Sequence, residues 1–171
     1  MSKAALGNHW VGKIYFYPQA DDPKATPLEY TNDVDSMMTK LKEMIGTNEM
    51  IEEVQAYKGA LSGLQLTKEI LYHMFLVFRT AEWYWTIEKH QDGITIQRSK
   101  SLAAVRDRWR LKDRISGIER MKSDEGKLCV YNLIHWIFQK NELDKTYHLR
   151  FSNCQHFASA AFNHVALKKT I

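Results

Sequence analysis

The sequence predicts an α+β domain, and three observations carry that expectation. Short aromatic or β-branched runs cluster between His73 and Ser99, amphipathic helical patterns lie on both sides of them, and the order of segments reads helices, sheet, helix, strand, helix. No repeat of longer period and no low-complexity segment interrupts this order.

Size and composition agree with one globular unit. At 171 residues the chain can bury about 70% of the surface its unfolded form exposes. Apolar residues make up 44% and charged residues 26%, with eight Gly and three Pro, which excludes disordered and fibrous classes. No run approaches the roughly 18 apolar residues of a membrane span, and "MSKAALGNHWVGKIYFYP" has a charge and a glycine where a signal sequence needs its apolar stretch. A soluble, cytoplasmic protein is expected. The net charge of +4 is modest and selects no partner by itself. Two cysteines cannot build a disulfide framework.

Each element has a local justification. "KIYFYP" alternates as a strand does, and "ADDPKATP" is a turn-rich break. "TNDVDSMMTKLKEMIG" opens on the capping residues Thr31, Asn32 and Asp33 and places Val34, Met37, Met38, Leu41, Met44 and Ile45 on one face. Gly46 ends it. "TNEMIEEVQAYKGAL" repeats the pattern behind Thr47 and Asn48, so residues 31–60 are predicted as a helical pair. "HMFLVFRT", "WYWTIEKH" and "ITIQRS" read as an antiparallel meander from about His73 to Ser99. "RDRWRLKDR" reads as a solvated helix face, with the basic residues near Arg106–Arg114 as a candidate peripheral contact with anionic membrane. Trp109 is its only aromatic, which speaks against nucleic acid. "KLCVYNLIHWIFQKN" is predicted helical with Cys129 and His135 packed, "TYHLRF" as a strand near His148, and a last helix starts near Cys154 behind Ser152 or Asn153. Trp83, Trp85 and Trp136 are read as core.

The first hairpin sorts the polar groups. With Ala81 and Glu82 as a two-residue loop, Thr80 faces Trp83 and His73 faces His90. One face then carries Met74, Leu76, Phe78, Trp83, Trp85 and Ile87. The other carries His73, Phe75, Val77, Arg79, Tyr84, Thr86, Glu88 and His90. A thiol becomes nucleophilic at the positive end of a helix dipole and beside an imidazole. Cys154 has the first. His156, about 200° around the helix, is a poor base for it, and His73 is the better candidate, with Glu88 or His90 orienting its ring. Cys154 and His156 lack further ligands at zinc spacing, so neither metal nor cofactor is expected.

"NCQHF" (Asn153 to Phe157) resembles the Asn-Cys-x-His-Phe box of the lecithin:retinol acyltransferase-like proteins, including the H-rev-type phospholipase/acyltransferases, within the circularly permuted papain-like (NlpC-type) superfamily. "LYHMFLVFRT" is similar to the strand that carries their histidine, which also precedes the cysteine helix. Gln155 stands where the family box usually has Glu, and His90 matches the third member. The resemblance covers about residues 70–166. It implies a permuted papain-like domain over 70–171, an antiparallel sheet packed on helices, with residues 1–69 as an N-terminal strand and helical extension packed into one unit. It further implies a cysteine-dependent acyl hydrolase or acyltransferase working through a Cys–His thiolate and a thioester acyl-enzyme, with phospholipid as a candidate acyl donor. The desumoylating isopeptidase-like proteins carry a similar Asn-Cys-Asn box, so an isopeptide substrate is the alternative. A non-catalytic interaction module on the same fold is the other.

Overall fold

In the computed structural model, residues 12–30, 34–59, 72–114, 117–142, 145 and 154–168 are described. The elements are β1 (Lys13–Tyr17), β2 (Leu28–Tyr30), α1 (Val34–Ile45), β3 (Glu53–Gly59), β4 (His73–Arg79), β5 (Tyr84–His90), β6 (Gly93–Ser99), α2 (Leu102–Arg106), β7 (Arg108–Trp109), β8 (Lys112–Asp113), β9 (Glu119–Glu125), α3 (Val130–Gln139) and α4 (Cys154–Val165). Together they form an α+β fold around a seven-stranded mixed sheet in the order β2-β1-β6-β5-β4-β3-β9. Among the described residues, no helix is long and apolar enough to cross a membrane.

The meander sits at the centre of that sheet, where the alternation predicts it. Leu76 pairs with Ile87, Val77 with Thr86, Phe78 with Trp85 and Arg79 with Tyr84, and the Thr80 amide donates to the Trp83 carbonyl at 3.0 Å. This is the two-residue loop, so the face assignment holds. Met74, Leu76, Phe78, Trp85, Ile87, Ile94 and Ile96 form one apolar layer, in which Trp85 lies between Phe16 and Phe78 at centroid distances of 6.0 and 5.7 Å. Helices cover it. Helix α4 buries Phe157, Ala158, Ala161, Phe162 and Val165, α3 buries Val130, Leu133, Ile134, Trp136 and Ile137, and α1 adds Met37 and Leu41. In each helix the buried positions recur at the three- and four-residue spacing of one helical face.

Several expectations are corrected. Residues 53–59 are a strand: Val54 and Ala56 enter the main core while Tyr57 packs with Phe75 and Val77 on the opposite face, a two-residue alternation that a helix cannot satisfy. The slot between β4 and β9 overrides the helical spacing, so only α1 of the predicted helical pair forms. The sheet is also not wholly antiparallel, because β1 runs parallel to β6. The charged run is not one helix. In "RDRWRLKDR" Arg106 ends α2, and residues 108–113 form the β7–β8 hairpin. Cys129 is the half-buried N-cap residue of α3, its thiol 3.8 Å from the Met50 sulfur, and His135 is exposed. The predicted strand "TYHLRF" with His148, and the capping residues Thr31 to Asp33, Ser152 and Asn153, lie outside the described residues.

Gly93 is where β1 meets the meander. Its φ is +155°, and a Cβ there would stand 2.4 Å from the Lys13 carbonyl oxygen. Gly93→Ala is therefore expected to lower stability by about 2 kcal/mol or more, since only a backbone shift at the β1–β6 pairing relieves the clash. Urea unfolding at neutral pH measures it.

Candidate active site

Strand alternation aims His73, Glu88 and His90 to one face of the sheet, and the register brings them to the same end of it. There the Glu88 carboxylate is fully buried. Its Oε1 lies 2.8 Å from His73 Nε2 and 2.8 Å from His90 Nε2, and the two rings stack at 4.4 Å between centroids. An ionised carboxylate only accepts, so both rings carry their proton on Nε2. With Nε2 occupied, Nδ1 is the His73 nitrogen left to face Cys154, whose influence raises the imidazole.

Cys154 reaches the ring from the other layer. It is the first residue of α4 and is buried, with its thiol 3.5 Å from the Tyr72 carbonyl oxygen and the Gln155 Nε2 donating to the same oxygen at 3.1 Å. These two contacts pin the helix start to the residue preceding β4. His156 is exposed, as its position around the helix predicts. The sequence-predicted residues Cys154, His73, Glu88 and His90 are thus brought into one cluster.

A residue that sequence reasoning missed completes it. Arg114, just after β8, donates through Nη1 to Glu88 Oε1 at 2.9 Å and through Nη2 to Oε2 at 2.5 Å. Its Nε donates to the Arg106 carbonyl at 2.8 Å, and its guanidinium lies 3.7 Å from the Phe75 ring centroid. The sequence has no signal for this, because Arg114 is one of several cations in "RDRWRLKDR" and only the fold selects it. The neighbouring arginines face other carboxylates: Arg106 meets Asp107, Arg108 meets Asp113, and Arg110 forks onto Asp92. Trp109 lies against His90 in a tilted arrangement, 4.1 Å between ring centroids.

The electrostatics follow from these contacts. Burial alone pushes the Glu88 carboxyl up, but the charge and hydrogen bonds of Arg114, with those of His73 and His90, hold it well below the usual carboxylate range. Burial likewise pushes the His73 imidazole down. Hydrogen bonds to Cys154 and Glu88 and the charges of both overcome that, raising it to about 9. His90 goes the opposite way, to about 4, through burial and the charge of His73. Two stacked imidazoles share one carboxylate, and only one of them carries charge near neutrality.

His73, Glu88 and His90 also offer three donor atoms within 4.8 Å of one another. The Arg114 guanidinium already supplies a cation to both Glu88 oxygens, and a metal there would have to displace it. The donor set suits the hydrogen-bonded network better than a metal centre. No protein-family model, curated protein or solved structure matches the chain.

The depressed His90 value has a consequence for stability. A histidine whose folded pKa lies below its ordinary 6.5 contributes fully above 6.5, and the contribution fades as pH falls towards 4. His90→Gln is expected to flatten that limb: wild type loses more stability than the variant between pH 7 and pH 4.5 in matched urea titrations. Parallel losses in both proteins would show that His90 is not held neutral.

Proposed function

We propose that the chain is a cysteine-dependent acyl hydrolase or acyltransferase of circularly permuted papain-like type, similar to the lecithin:retinol acyltransferase-like proteins. One observation carries the reading: His73 gives its Nε2–H to a buried carboxylate, and the Cys154 thiol sits at the start of the same strand, 3.5 Å from the carbonyl oxygen of adjacent Tyr72. Nucleophile, base and orienting group stand in the relation that thiol acyl transfer requires.

In this mechanism the Cys154 proton resides on His73 Nδ1, leaving a thiolate at the start of α4, where the helix dipole favours negative charge. The thiolate attacks the acyl carbonyl, and backbone amides at the helix start hold the developing oxyanion. The His73 imidazolium then gives its Nδ1 proton to the leaving oxygen or nitrogen as the carbonyl re-forms, which yields the thioester. Water or an acceptor alcohol or amine loses a proton to Nδ1 as it attacks, and the thiolate departs. Throughout, Glu88 accepts from Nε2–H and keeps the ring in its working tautomer. Glu88 is assigned as the third member, with His90 packed against the pair. A phospholipid ester is the candidate donor.

The test uses the two cysteines against each other. Cys154 is the more buried, yet as an activated thiolate it is expected to react with iodoacetamide at neutral pH well before half-buried Cys129. An activated ester should leave an acyl adduct on the Cys154 peptide, detected by mass spectrometry. Cys154→Ser abolishes the adduct and Cys129→Ser keeps it, once both variants are shown to be folded. Equal labelling of the two, or none at Cys154 in folded protein, replaces the enzyme with an interaction module. Acyl transfer should also decline as pH rises through about 9, where His73 loses the proton the leaving group needs, whereas alkylation, which needs only thiolate, should not.

A further inference from the structure

Arg114 stands outside the Cys–His–Glu relation, yet its side chain is more buried than those of Arg108 and Arg110 beside it. Residues 107–114 cross the polar face of the sheet, and the buried Gln97 side chain holds the crossing. Its Nε2 donates to the Arg108 carbonyl at 3.1 Å and its Oε1 accepts from the Arg110 amide at 2.9 Å. The Arg114 amide donates to the Asp107 carbonyl at 2.9 Å, closing the strap on itself. The guanidinium that results is largely buried, with its fork on Glu88 and its Nε on the backbone.

A charge count gives this placement a purpose. With a thiolate on Cys154, an imidazolium on His73 and neutral His90, the Glu88 carboxylate would leave the buried cluster at net −1, and Arg114 brings it to zero. We propose that Arg114 is a positioning residue that neutralises Glu88, so that the cluster can hold a second anion, the Cys154 thiolate, while Glu88 still orients His73. The inference rests on the thiolate reading above. Among the described residues, the other charged groups do not replace it: Asp107 pairs with Arg106, Lys58 of β3 lies over the Tyr72 ring and pairs with Glu119, and His156 of α4 is exposed.

The test follows iodoacetamide alkylation of Cys154 against pH in the full chain with Cys129→Ser as background. Arg114→Met should raise the pH midpoint of alkylation by about one unit or more, a roughly tenfold loss of rate at neutral pH, since an uncompensated buried carboxylate on the other side of the His73 ring disfavours a second anion. Arg114→Lys keeps the charge and loses the fork, so its midpoint should stay near the parent's while acyl transfer falls. The double variant Glu88→Gln/Arg114→Met restores the charge balance and should move the midpoint back towards the parent's. A merely structural Arg114 would not be rescued by removing Glu88 as well. Should Arg114→Met not fold, the other two variants decide, because the proposal requires both to keep the parent's midpoint. An unshifted midpoint in folded Arg114→Met, or a raised one in the double variant, overturns the proposal. A parent protein whose Cys154 alkylates no faster than an ordinary thiol overturns the thiolate reading itself.

Discussion

The fully buried carboxylate of Glu88 is the constraint around which this structure is arranged. Burying an isolated carboxylate costs several kcal/mol even after relaxation, so a fold that buries one near the end of its central strand must surround it with donors. Oε1 takes hydrogen bonds from His73, His90 and Arg114, and Oε2 takes the second arm of the Arg114 fork. Each donor comes from a different position in the chain: β4, the end of β5, and the segment after β8. Satisfying one side chain therefore fixes the register of the hairpin, the orientation of two imidazoles and the path of the strap together.

The cluster also has to lie at the margin of the sheet. Helix α4 packs on the Met74 and Leu76 face, with Ser159 Oγ 3.7 Å from the Met74 sulfur, whereas His73 belongs to the opposite face beside Phe75. In the middle of β4 the sheet itself would separate a thiol on one side from an imidazole on the other. His73 is the first residue of β4 and Cys154 the first of α4, so both side chains stand where the strand begins. The contacts of Cys154 and Gln155 with the Tyr72 carbonyl are made at that margin. A histidine at position 75 or 77 would share the face of Glu88 and still be screened from the helix.

This geometry explains what the sequence reveals and what it hides. The meander and α4 are legible because their apolar residues repeat at two and at three to four, and the parity of a two-residue loop assigns every side chain of the hairpin to a face. Those two periodicities bring His73, Glu88 and His90 forward as one set, and Cys154 joins them as a thiol at a helix start that needs an imidazole. Strand β3 is hidden because Met50, Ile51 and Val54 also fit a helical face, and only the slot between β4 and β9 decides against it. The β7–β8 hairpin is hidden for a different reason. Its two central residues, Arg110 and Leu111, have φ of 49° and 67°, the conformation of a tight hairpin turn that ordinarily takes Asn or Gly. Without those residue types no turn is readable, the run looks helical, and the position of Arg114 cannot be inferred.

That unusual turn ties the strap's local cost to the site. A side chain with positive φ costs about 1–3 kcal/mol and persists where surrounding contacts over-determine it. Arg110 supplies such contacts: its guanidinium forks onto Asp92 at 2.7 and 3.0 Å, donates to Thr95 Oγ1 at 3.0 Å and lies 4.2 Å from the Tyr15 ring centroid. Leu111 packs against the small cluster of Tyr17, Ala20 and Val105. The turn is thus held from β1, the β5–β6 loop, β6 and α2. Its far end delivers Arg114 to Glu88. A helix through the same residues would relieve the backbone and leave a buried carboxylate without its fork, at a cost of several kcal/mol that exceeds the gain. The energetics of the carboxylate thereby override the local preference of the chain for a helix.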